Sequence, residues 1–66
     1  MNFTTVYVDG CTVLRESGKA LLVEHEGDQK WIPKSQIRND SEITEEGDSG
    51  TLAIPEWLAE EKGWGE

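Results

Sequence analysis

Sixty-six residues allow one small domain, which buries only about 60% of the surface that its unfolded chain exposes. Six Lys and Arg stand against fourteen Asp and Glu, a formal net charge of −8 that repels nucleic acid and attracts basic surfaces. No apolar run approaches the ~20 residues of a membrane span, and the N-terminus lacks a basic-then-apolar signal pattern. The single cysteine, Cys11, excludes an internal disulfide and a cysteine metal cage. These features predict a soluble, cytoplasmic protein held together by packing or by a partner chain.

In chain order, Phe3 to Val8 is rich in β-branched and aromatic residues that suit a pleated surface. Asp9-Gly10 reads either as a hairpin turn or as a bulge; the bulge gives one bent strand running on through Arg15, and we prefer it. Glu16-Ser17-Gly18 is a turn. Residues 20–26 and 29–33 then form the central hairpin, joined at Gly27-Asp28, with Pro33 ending the second strand or placing it on an edge. Ile37 returns the chain to the core. Residues 38–41 read as a loop, Glu42-Ile43-Thr44 as a short strand with Ile43 inward, and 45–50 as a turn-rich loop. Thr51 to Ile54 is a further strand. Pro55 suits the first position of a helix that Gly63 caps. Ile54, Trp57 and Leu58, spaced i, i+3, i+4, predict its docking face. Leu14, Leu22, Trp31 and Trp57 are expected in the core with the branched aliphatic residues.

The fold expected is mainly β, a single domain over residues 1–66. A small SH3-like β-barrel of four or five short strands spans 1–54, a short C-terminal helix 55–63, and a tail 64–66.

Catalysis finds little material. The one histidine, His25, lies beside a hairpin turn, Cys11 has no base in its neighbourhood, and Gly47-Asp48-Ser49-Gly50 lacks the lysine of a phosphate loop. We therefore expect no enzymatic activity, cofactor or metal; Asp40, Glu42, Glu45, Glu46 and Asp48 cluster but lack the EF-hand spacing. Charge is more informative. Residues 1–39 carry five acids and five bases, whereas residues 40–66 carry nine acids and one base, Lys62. The loop acids Asp40, Glu42, Glu45, Glu46 and Asp48, the helix acids Glu56, Glu60 and Glu61, and Trp64 are accordingly the candidate partner-binding residues. Glu56 and Glu60, at i, i+4, repel mildly, a pair that stability alone does not favour. An alternative face groups Lys30, Trp31, Lys34 and Arg38, an aromatic among bases that suits stacking on a single strand. The net charge disfavours direct nucleic-acid binding. A third reading is a structural or oligomerisation module, including a homodimer.

Lys-Ala-Leu-Leu-Val (19–23), Trp-Ile-Pro-Lys-Ser-Gln-Ile (31–37) and Gly-Thr-Leu-Ala-Ile-Pro-Glu-Trp-Leu-Ala-Glu-Glu-Lys-Gly (50–63) resemble a family of small phage and prophage proteins. The resemblance runs from about Val13 to Trp64. It implies fold determinants at Trp31, Ile32, Pro33, Ile37, Trp57 and Leu58, and a phage-derived domain in a bacterial host cytoplasm, but no catalytic role. Small acidic phage proteins resemble host-defence inhibitors, anti-CRISPR proteins among them. By that analogy the partner expected is a basic surface on a host protein, such as a nucleic-acid-processing defence complex.

Overall fold

The computed structural model describes residues 4–64; Phe3, placed in the core by its sequence context, and Gly65-Glu66 of the expected tail lie outside the described residues. Four antiparallel strands form one open sheet: β1 (Thr5–Glu16), β2 (Ala20–His25), β3 (Asp28–Pro33) and β4 (Ser49–Pro55), in the order β3-β2-β1-β4. A short 3-10 turn (Lys34–Gln36) follows β3, and one helix, α1 (Glu56–Lys62), follows β4. This is the small, barrel-like β fold with a C-terminal helix that the sequence predicts.

Strand β1 organises the sheet because it pairs on both sides. Its first half pairs with β4 (Val6 with Ile54, Val8 with Leu52) and its second half with β2 (Val13 with Val23). The register against β4 shifts between Val8 and Cys11, where Gly10 takes φ +68°, so Asp9-Gly10 is a bulge in one bent strand. A second shift, against β2, falls between Val13 and Arg15 and leaves Leu14 exposed, outside the core. Together the two irregularities bend β1 around its own inward side chains.

The central hairpin turns one residue earlier than expected. His25 pairs with Asp28, so Glu26 and Gly27 form the turn, both with positive φ (53° and 84°). Positive φ at both central positions is the turn whose twist matches the strands, and Asp28 instead opens β3.

The core comprises Val8, Cys11, Val13, Leu21, Val23, Ile32, Ile43, Leu52, Ile54, Leu58 and Ala59. Burying each branched residue stabilises by roughly 1.5–3 kcal/mol. Ile43 is fully buried, yet residues 42–44 are not a strand. Its neighbour Ser41 substitutes for ladder bonds: the buried hydroxyl donates to the Ile43 carbonyl at 2.9 Å and accepts from the Ile43 amide at 3.3 Å.

Helix α1 begins after Pro55, which is its N-cap rather than its first residue. Pro55, Leu58 and Ala59 are buried and Lys62 half-buried, at the i, i+3, i+4, i+7 spacing. Counting that period from Ile54, still in the strand, wrongly assigns Trp57 to the core; it projects outward and is 49% exposed. Gly63 is left-handed (φ 80°) and closes the helix, with the amide of Gly63 donating to Glu60 and that of Trp64 to Ala59.

Candidate functional site

The outward face of α1 is built from Trp57, Glu60 and Glu61, all exposed, with half-buried Glu56 beside them. Residues 57 and 61, and 57 and 60, are one helical turn apart, so the indole sits among carboxylates on a single surface. Trp57 is among the largest side chains of the molecule, and about half of it faces solvent. A half-exposed tryptophan offers a rigid apolar anchor to a partner.

Trp64 behaves oppositely. Instead of projecting as an exposed contact, it folds back after Gly63 and is half-buried against the core. Its indole nitrogen donates to Asp28 Oδ2 at 3.0 Å, and its ring meets His25 edge-on, centroids 5.6 Å apart. The pair ties the end of α1 to the β2–β3 turn. His25 Nδ1 is buried with no hydrogen-bond partner among the described residues.

The acids of residues 40–48 divide by role. Asp40 accepts a short hydrogen bond from the Tyr7 hydroxyl, which raises the Tyr7 pKa above its ordinary value. Glu42 Oε1 accepts the Thr51 amide at 2.9 Å. Asp48 Oδ2 accepts the amides of Thr44 (2.8 Å) and Glu45 (3.1 Å), which hold its carboxyl below the usual range. Glu42 and Asp48 thus satisfy amides in or beside a segment without regular structure, and Asp40 ties that segment to β1. Glu45 and Glu46 are exposed and their side chains have no partner among the described residues; they lie before the N-terminal end of β4, whereas α1 follows its C-terminal end. Seven residues of strand separate the two groups by roughly 20 Å. The acidic residues therefore form two patches, with Trp57 in only one.

The basic group is likewise dispersed. Trp31 is 46% exposed, against the expectation of a core position, because its inward-facing neighbour Ile32 fills that place. Alternation along β3 puts Lys30 on the Ile32 side, where it pairs with Asp28 at 3.8 Å. Lys34 is bound to Glu16 Oε2 at 2.5 Å, and Glu16 also accepts the Glu46 amide; these bonds lower the Glu16 pKa. Arg38 lies beside β4, its amide donating to the Ala53 carbonyl. An open depression of about 240 Å³ is lined by Lys34, Ile37, Arg38, Asn39 and Thr44.

Cys11 is buried with its thiol directed at the Val8 carbonyl (3.2 Å), and burial pushes its pKa up to about 11. A thiol so placed is a poor nucleophile. Among the described residues, no three His, Cys, Asp or Glu side chains are grouped to hold a metal ion, and no helix is long and apolar enough to cross a membrane. The sequence signals that place Trp57 and Trp64 were available: the period starting at Pro55, and the glycine that reverses the chain after Lys62.

Comparison with protein-family models, curated proteins and solved structures finds no match to this chain.

Proposed function

We propose that the protein is a non-catalytic binding protein whose α1 face docks on a basic surface of another protein. The observation that supports this most directly is the exposed Trp57 set between Glu60 and Glu61, in the half of the chain that carries all the net charge. Carboxylates steer a basic partner and the indole supplies the desolvated anchor. In a phage setting the reading extends to an inhibitor of a nucleic-acid-processing defence complex, its acids occupying a groove meant for phosphates. The alternative nucleic-acid face gains less support, since Lys30 and Trp31 face opposite sides of β3 and Lys34 is neutralised by Glu16.

The test is a pull-down from nuclease-treated host lysate at low and high salt, with wild type, Trp57→Ala and a Glu60→Lys/Glu61→Lys variant. Wild type is expected to retain a basic protein that salt releases. Trp57→Ala should weaken retention by about 2 kcal/mol or more, with the chain still folded by circular dichroism. Retention and salt dependence unaltered in both variants would sink the reading.

A further inference from the structure

We propose that the outer edge of β3 is a self-association surface: two copies pair antiparallel about a two-fold axis at Trp31 and join their sheets. The main-chain geometry dictates which groups are offered. His25 pairs with Asp28 across a two-residue turn, so alternate residues of β3 face β2 and the intervening ones face away. The amide of Lys34 donating to the Lys19 carbonyl keeps the same alternation just beyond the strand. Gln29, Trp31 and Pro33 thus direct their main-chain groups outward, and β3 has no neighbour on that side among the described residues.

A second copy fits this edge because the strand is its own complement. With Trp31 opposite Trp31, each Trp31 amide donates to the other copy's Trp31 carbonyl. Each Gln29 amide meets the carbonyl of Pro33, the one main-chain group that proline still offers. The same register sets Asp28 of each copy opposite Lys34 of the other, so no like charges meet, with each already paired inside its own copy, Asp28 to Lys30 and Lys34 to Glu16. It also lays the two half-exposed indoles side by side, extending a row in which Trp31 already neighbours Leu22 on β2. The copies approach through β3, where the charges of Asp28 and Lys30 offset each other. The pairing stops at two. It consumes both β3 edges, while β4 is covered at Thr51 and Ala53 by the segment before it, so among the described residues no strand edge is left fully bare to propagate a fibre. An edge this short buries well under about 1,200 Å², which makes the dimer weak and transient.

Sedimentation velocity on the full chain, from about 10 μM to about 1 mM, tests the pairing with no other protein present. Wild type should move from 7.4 kDa toward twice that mass across the range. Gln29→Pro removes an amide that β2 does not use, and Trp31→Ala removes the indole pair; each should weaken association by about 10-fold or more. Circular dichroism and thermal melts, run alongside, should find both variants folded. In a mixed labelled and unlabelled sample, intermolecular contacts should run from Trp31 to Trp31. A wild type that is monomeric at the highest concentration overturns the proposal and leaves the edge to an extended peptide of another protein. A dimer that persists in both variants, or whose contacts map elsewhere, overturns it equally.

Discussion

At β4 three outer main-chain groups are met from one side: the Ala53 carbonyl by the Arg38 amide, the Thr51 carbonyl by the Glu42 amide, and the Thr51 amide by the Glu42 carboxylate. At β3 the corresponding groups of Gln29, Trp31 and Pro33 face outward with nothing paired to them among the described residues. The difference does not come from the strands, which are of similar length. It comes from the segments that flank them. Residues 38–48 are anchored beside β4 by Ile43 in the core and by Ser41 beneath it, so an irregular segment serves as a fifth strand would. Among the described residues no such anchor stands beside β3, whose edge is limited by its brevity and by Pro33. A sheet edge is therefore protected by whichever neighbouring segment owns a core residue.

The largest test of this contrast is Ile43→Ala. Losing the anchor should cost about 2–5 kcal/mol in urea unfolding, against less than about 1 kcal/mol for Trp31→Ala on the bare edge. Equal costs would break the comparison. Next comes Gly50→Ala. A Cβ there would lie 2.6 Å from Glu42 Oε1, on a backbone with φ +148°, so a loss of about 1–3 kcal/mol is expected. Measured together with Glu42→Ala, the two costs should sum to more than the double variant loses, because the clash disappears with its partner. A strictly additive pair would show that Glu42 does not sit against Gly50. The smallest effect is on pH dependence. Asp48 and Glu16 titrate lower in the folded chain than in the unfolded one. Their contribution is therefore complete above about pH 5, beyond the unfolded values, and fades as pH falls through the lowered native values. Thermal melts should show this acid loss in wild type and a flatter profile in Asp48→Asn.

Much of this architecture is legible from residue types. The bent β1, the hairpin, the inward Ile43 and the Gly63 cap follow from alternation, bulge-forming Asp-Gly and the glycine after a run of helix formers. The misreadings share a cause: each assigns a large residue by its size where its phase decides. Trp31 and Trp57 lie one position from Ile32 and Leu58, which take the core places, whereas Trp64 is drawn inward by a left-handed Gly63 and by Asp28, partners distant in sequence. The turn shifts to Glu26-Gly27 because a glutamate tolerates φ 53° there, a cost that local preference alone argues against. The acids mislead differently. Asp40 and Glu42 look like solvated loop residues until the fold brings Tyr7 and Thr51 beside them, whereas Asp48 closes a local turn on the amides of Thr44 and Glu45.

The bulged β1 also sets the order in which this chain can assemble. Its second half meets β2 across the short turn at Ser17, and β2 meets β3 across Glu26-Gly27, so these contacts close small loops and form fast. Its first half must wait for Ile54 and Leu52, near the other end of the chain, and the covering segment can settle only once they arrive. For that interval the three-stranded β3-β2-β1 meander carries an open edge on each side. Nascent or refolding chains should accordingly be most prone to mispairing before β4 docks, and refolding yield should fall with protein concentration.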